Sequence, residues 1–364
     1  MTLESFTTFL VSQMEGIRKS QIKTLAALVL GLFNSTNISI AAIGRAMKGV
    51  VKPKHNIKKV DRFLGNDRIN ILAMAGALLC MLVSHLPKNS KLMIAMDWTD
   101  LHDDKHQTLV LAVIACGRAI PVLWRTADKD CLKGNQTQIE LEILKDLKTI
   151  IPLNTELIIL ADRGFCNIEL FEQIKSLGFE YVIRLRRNFY IYCKHYSGSL
   201  EKLIIEPGTL RDMGVTLFST KKRYPLRIVA FYAAGQKEPW ILATNSKEDA
   251  GYIVSLYGRR MEIEECFRDL KNERNGLCLR GARHHSVNRY DRLFLVIAYG
   301  YLFMVLAGQW GEERGVHRGL MANTVKHRTL GLWRVGKYIL NNHNAYPVRP
   351  EFLALRIQKV VLIA

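Results

Sequence analysis

Apolar positions along the chain change their spacing several times, and each change marks an element. From residue 1 to about residue 87 the spacing is helical. A first helix is expected over 3–33, with its end at Asn34-Ser35-Thr36-Asn37. A second begins near Ser39 and carries Ile40, Ile43 and Met47 on one face. An apolar run over 69–86 makes a further helix. The Pro-Lys-Asn-Ser turn at 87–90 then changes the pattern. Residues 92–96, Leu-Met-Ile-Ala-Met, are continuously apolar, the mark of a central strand buried on both faces, and Asp97 follows at once.

Two β-rich runs, 108–116 and 119–124, flank Gly117-Arg118 and read as a hairpin. Residues 137–151 return to helical spacing, with Ile139, Ile143, Leu144 and Leu147 on one face. A buried strand over 156–161 ends at Asp162. A helix over 167–177 is capped by Gly178, and 181–185 makes a fifth strand. The next seventy or so residues hold short β-like pieces at 217–220, 226–232 and 240–244. Beyond Lys271 the chain is helical and basic through Arg274, Arg280, Arg283, Arg289 and Arg292. It then enters an apolar run at 293–310 and ends at Leu362-Ile363-Ala364. No internal repeat or low-complexity tract interrupts it. The pattern predicts an α/β protein with a mixed five-stranded sheet and a β-rich insertion at about 187–250. Helical regions at 1–88 and 276–364 flank the central domain at 89–275.

Residues 257–271, YGRRMEIEECFRDLK, read as one amphipathic helix. At about 100° per residue, Tyr257, Arg260, Glu264 and Lys271 fall within an arc of roughly 60°. Leu256, Ile263, Phe267 and Leu270 form an apolar seam beside that stripe, which puts Glu264 at the edge of the core. Glu262, Glu265 and Asp269 point to the far side, where solvated carboxylates are the simplest expectation. A surface helix of mixed charge is the plain alternative.

The order and spacing of Tyr257, Arg260, Glu264 and Lys271, with an aspartate after each of two upstream strands, resemble the Y-R-E-K signature and carboxylate triad of the IS-four family of bacterial insertion-sequence transposases, typified by Tn-five. That resemblance implies an RNase H-like fold in which the strands before Asp97 and Asp162 lie side by side. It implies a site of Asp97, Asp162 and Glu264 holding two Mg²⁺, with Mn²⁺ able to substitute, because such ions take hard oxygen ligands. Tyr257, Arg260 and Lys271 are then DNA contacts. Trp240 corresponds to a tryptophan that supports a base flipped out during hairpin formation. The implied activity is metal-dependent cut-and-paste transposition, acting on terminal inverted repeats and target DNA as a synaptic homodimer. Strand-end turn residues are the plain reading of Asp97 and Asp162, with Asp100 and Asp103 as alternatives to Asp97, and Trp240 reads equally well as a strand aromatic. A DNA-binding regulator descended from a transposase, or a metal-dependent nuclease without strand transfer, would use many of the same residues.

Charge adds to this picture. The chain of 364 residues carries a formal net charge of +19, which calls for a polyanionic partner. Arg18, Lys19, Lys23, Arg45, Lys48, Lys52, Lys54, Lys58, Lys59 and Arg62 crowd the first region, as expected of a helical module that grips DNA. Polar interruptions in the 69–86 and 293–310 runs favour buried helices over membrane spans. The start, MTLESFTTFL, lacks a secretory pattern, so a cytoplasmic, nucleoid-associated protein is expected. Seven cysteines with no C-x-x-C pair argue against a disulfide framework or zinc ribbon. Adjacent His284 and His285 suit phosphate or solvent contacts better than a metal.

Overall fold

The computed structural model describes residues 1–84, 86, 90–101, 105–115, 117–273, 277–282, 284 and 286–357. Residues 87–89 of the expected turn at 87–90, together with Asp103, Cys116, Arg274, Arg283, His285 and the last residues of the tail, lie outside them. Five helices come first: α1 (Leu3–Gln13), α2 (Lys19–Asn34), α3 (Ile40–Ala46), α4 (Pro53–Leu64) and α5 (Ile71–Val83). Their starts follow local chemistry. Thr2 caps α1 through a capping box, Ser39 and Asn70 cap α3 and α5, and Pro53 sits in the first turn of α4. The single helix expected over 3–33 is two, because Gly16 takes φ 74° between α1 and α2 and turns the chain.

The sheet strands are β1 (Leu92–Asp100), β2 (His106–Ala115) and β3 (Arg118–Asp128), then β4 (Leu157–Ala161) and β5 (Glu180–Arg184). The insertion supplies β6 (Tyr190–Cys193), β7 (Tyr196–Ser199), β8 (Leu210–Phe218), β9 (Tyr224–Phe231) and β10 (Trp240–Thr244). Helices α6 (Lys129–Leu132), α7 (Gln136–Ile150) and α8 (Ile168–Ser176) lie between the central strands. Helices α9 (Ala250–Arg259), α10 (Met261–Lys271), α11 (Val287–Glu313), α12 (Leu332–Asn341) and α13 (Pro350–Ala354) complete the chain.

All ten strands form one sheet, in the order β3-β2-β1-β4-β5-β10-β9-β8-β6-β7. The pairs β1–β4 and β4–β5 are parallel, and the other pairings are antiparallel. The fold is therefore a mixed α/β protein with flanking helices. The expected five-stranded sheet is too small: Leu242, Ala243 and Thr244 of β10 pair with Arg184, Ile183 and Val182, so the insertion extends the sheet past β5. An exposed β5 edge would have left backbone donors and acceptors unpaired.

The apolar run at 293–310 lies in α11, which is long and apolar enough to cross a membrane by length and composition. In this fold residues 293–308 are buried against other helices and the sheet. Its crossing with α12 depends on bare backbone: a methyl group at Gly336 would fall 1.6 Å from the Met304 carbonyl oxygen. Phe6 and Phe9 of α1 stack edge-on against Phe303 of α11, which joins the first helices to the same core.

Candidate active site

The register of the parallel strands sets the two aspartates side by side. Met96 of β1 is opposite Ala161 of β4, so Asp97 and Asp162 are the next residues on neighbouring strands. Asp97 is not at its strand's end, since β1 runs on to Asp100 against β2, where Asp97 faces Val110. It is at the level where β4 stops. Each carboxylate is anchored by one backbone N–H: Trp98 N–H donates to Asp97 Oδ1 at 2.8 Å, and Gly164 N–H to Asp162 Oδ1 at 2.7 Å.

The third carboxylate arrives on a helix that is not continuous. Arg260 N–H bonds the Tyr257 carbonyl, and Ile263 N–H bonds that of Arg260, so a tight turn of the 3₁₀ kind separates α9 from α10. The single helix expected over 257–271 is thus two, and a phase counted across Arg260 is off by that turn. Tyr257 is buried instead of lying on an open polar stripe. The far-side acids differ from expectation too. Asp269 is buried, Glu262 pairs with Arg259 at 2.8 Å, and Glu265 pairs with Arg268 at 2.8 Å. They face protein because α10 packs on the sheet by one side and meets the β2–β3 hairpin tip by another.

Arg260 is the centre of the site. Its guanidinium donates to Glu264 Oε1 at 2.6 Å and stands 3.7 Å from Asp97 Oδ2. It also lies 5.9 Å from the Tyr257 ring, and Trp240 packs edge-on against Tyr257 with ring centroids 4.9 Å apart. Trp240, Tyr257, Arg260 and Glu264 therefore form a row that ends at Asp97. Burial pushes the Asp97 carboxyl up to about 6, Arg260 opposes that, and the Asp162 and Glu264 carboxylates add to it. Burial raises the Tyr257 hydroxyl and lowers the Lys271 ammonium, which lies in the field of Asp100, Arg280 and Asp97. Of the alternatives to Asp97, Asp100 is bonded to Gln107 and Lys129 away from Arg260.

The donor chemistry is of the kind divalent cations take: Asp97, Asp162 and Glu264 are hard carboxylates, the charges of the last two act on Asp97, and a positive charge relieves that repulsion. Among the described residues, however, no three acidic, histidine or cysteine side chains are gathered closely enough to hold an ion as they stand. Arg260 supplies the compensating charge in this arrangement.

Residues 133–297 match the family model of the transposase DDE domain. Those residues, a little under half of the chain, are similar to a DDE transposase domain. The matched stretch takes in Asp162, Trp240, Tyr257, Arg260, Glu264 and Lys271 and begins after Asp97. No match was found among curated proteins. The ten-stranded mixed sheet with its flanking helices is consistent with an RNase H-like DDE domain. A DDE domain implies DNA cleavage and strand transfer, its members generally use divalent metal ions, and transposases bind DNA.

Two features around these carboxylates had no signal in the sequence. Trp98 donates its indole N–H to Glu140 at 2.9 Å, and buried Glu140, raised by burial, feels the Asp162 charge. Arg186 donates to the carbonyls of Arg163 and Gly164 and so fixes the turn behind Asp162. Both are contacts between distant stretches. Farther off, His55, Lys58, Lys59 and Arg62 of α4 recur at three- and four-residue intervals and are all exposed. With Ser20, Gln21 and Thr24 of α2 they line a groove of about 440 Å³.

Proposed function

We propose that this protein is a cut-and-paste transposase of the IS-four family, Tn-five type, acting on the terminal inverted repeats of its insertion sequence in the bacterial cytoplasm at the nucleoid. The observation that carries the reading is the register that brings Asp97 and Asp162 together beside the Glu264 helix, within a chain matching the DDE domain. Asp97, Asp162 and Glu264 would hold two Mg²⁺, with Mn²⁺ as a substitute. When bound, such ions lower the pKa of water and neutralise charge on attacking and leaving oxygens.

The remaining steps fall to the chain's own residues. Arg260 leaves Glu264 for a DNA phosphate, which its planar fork suits, and so releases the carboxylate. Lys271 and Tyr257 hold the strand, and Trp240 takes a displaced base during formation of a hairpin intermediate. The exposed cations of α4 grip the terminal repeat, the region 1–88 serving as the end-binding domain, 89–275 as the catalytic domain and 276–364 as a helical region behind it. Two protomers pair in the synaptic complex.

The deciding experiment incubates the protein with linear duplexes ending in the flanking repeat, with Mg²⁺, Mn²⁺ or neither. Nicked, hairpin and joined products on a denaturing gel are expected only with metal and only with repeat ends. Hydrolysis of any duplex without joining would sink the transposase reading in favour of a nuclease. Specific binding without any cleavage would leave a regulator. Affinity should fall with salt at a slope of about −0.9 per neutralised phosphate, and Lys58→Ala with Arg62→Ala should reduce that slope.

A further inference from the structure

The far face of α10 is held by groups from three other elements of the chain. Glu262 accepts a backbone hydrogen bond from Gly117 at the tip of the β2–β3 hairpin. Arg118, the next residue, places its guanidinium 2.9 Å from Asp269 Oδ2 and 3.8 Å from Glu265. Tyr301 of α11 donates its hydroxyl to Asp269 Oδ2 at 2.7 Å, and Trp333 of α12 also donates to this carboxylate. Three donors from three elements thus converge on one buried carboxylate. Burial raises the Asp269 carboxyl, and Arg118, Tyr301 and Trp333 each oppose that by favouring the ionised form.

Its position on α10 matters. Asp269 is five residues after Glu264, about 140° around the helix, so a rotation of α10 that moves one carboxylate moves the other. The hairpin that holds Asp269 continues through β2, whose Val110 pairs with Asp97. The contact therefore links the rotation of the Glu264 helix to the strand that carries Asp97. Tyr301 and Trp333 hold the same carboxylate from the side of α11 and α12, which leaves α10 little freedom to turn. A buried ion pair contributes little net stability when compared with well-packed apolar groups. Its better-attested use is to fix one register.

We propose that Asp269, with Arg118 and Tyr301, is a positioning residue that sets the rotation of α10 so that Glu264 faces Asp97 and Asp162. This rests on the reading of those three carboxylates as the metal site. The groups around Asp269 are Arg118, Tyr301 and Trp333, and it acts only through Glu264.

The test uses the full-length protein and reads Mn²⁺ binding by electron paramagnetic resonance, with duplex binding and thermal unfolding alongside. Asp269→Asn keeps the size and an acceptor for Tyr301 but removes the charge that holds Arg118. It is expected to weaken Mn²⁺ binding about tenfold while duplex binding stays within twofold. Added to Glu264→Gln, it should produce no further loss, because there is no longer a carboxylate to position. A purely structural role would lower Mn²⁺ binding equally in both backgrounds, and that result overturns the proposal. Unchanged Mn²⁺ binding in Asp269→Asn, where Glu264→Gln does weaken it, also overturns it and leaves the metal site standing. If Glu264→Gln itself has no effect, the site assignment fails and takes the proposal with it. Should Asp269→Asn not fold, Tyr301→Phe removes one hydroxyl only. It is expected to cost about threefold in Mn²⁺ binding, again only where Glu264 is present, and no change there overturns the proposal.

Discussion

The two halves of the ten-stranded sheet are built on different principles. In the half from β3 to β5, the parallel strand β4 is buried along its whole length and β1 nearly so, because α5, α7 and α8 lie among its helices and α10 and α11 pack on β3. In the half from β10 to β7 the strands are antiparallel, and β8 alternates toward solvent, leaving Val215 72% exposed. The first half holds Asp97 and Asp162 on neighbouring backbones that have no room to shift. The second offers surface, and it meets the first at β10, where Trp240 reaches Tyr257. Precision belongs to the covered half, and adaptable contact to the open one.

The strongest way to break this contrast is at the carboxylates. Asp97→Ala, Asp162→Ala and Glu264→Ala are each expected to lower single-turnover cleavage by about 10³-fold or more, on the order of 4 kcal/mol of barrier. Duplex binding in gel shifts should change little. Full cleavage by Glu264→Ala would take α10 out of the chemistry and leave the covered half with only its two aspartates. If cleavage were lost only in Glu265→Ala, the working face of α10 would be a different one.

Stability should divide the halves next. Ile159 of β4 is fully buried, so Ile159→Ala is expected to cost about 2–5 kcal/mol in chemical denaturation. Val215→Ala on β8 should stay within about 0.5 kcal/mol. Equal costs would mean that the open half is covered in solution, for instance by a second protomer.

A smaller effect should appear in pH dependence where α11 joins the covered half. Asp291 accepts from Thr126 N–H at 2.9 Å, and burial pushes its carboxyl up to about 6, against the pull of Thr126, Arg125 and Arg292. Its folded value lies above the ordinary 3.8, so the folded state holds the proton more tightly. The stability this provides is complete below about pH 4 and is lost as pH rises through about 6. Asp291→Asn keeps the acceptor for Thr126 and cannot ionise. The wild type should lose on the order of 2–3 kcal/mol relative to this variant between pH 4 and pH 8. Parallel profiles would show that Asp291 does not titrate in that window.

Much of the covered half was legible in the sequence, because a strand buried on both faces leaves an unbroken apolar run such as 92–96, and the polar residue ending it stands out. The positions of Asp97 and Asp162 could be read from the pattern; their adjacency came only from the family resemblance, since strand order is a long-range fact. The open half was read only as β-rich. Its short alternating pieces carry no label saying that β10 would pair with β5 and extend the sheet. On α10, helical phase picked out Glu264 but missed the 3₁₀ turn at Arg260, whose dihedrals are ordinary and whose hydrogen bonds alone differ. It also took Asp269 as solvated, because the partners that bury it, Arg118, Tyr301 and Trp333, lie 32 or more residues away in sequence.

The finest distinction rests on Trp240, at the seam between the halves. It begins β10, pairs with Phe231, and is half-buried with its ring against Tyr257. A ring so placed can be a strand aromatic filling the seam, or a platform for a base drawn out of the duplex. The two roles separate in time, because a flipped base exists only after the first nick. Base-aromatic stacking is worth about 1–3 kcal/mol per base, and about 1.4 kcal/mol is a tenfold change in rate. Trp240→Ala is therefore expected to leave the rate of first nicking within about twofold and to slow hairpin formation about tenfold. Nicked ends should accumulate on a gel that resolves them from hairpins. Trp240→Phe, which keeps a smaller ring, should recover part of the second rate. If both steps slow together in Trp240→Ala, the ring supports Tyr257 and through it Arg260. The seam would then belong to the covered half's framework, with no base-holding role of its own.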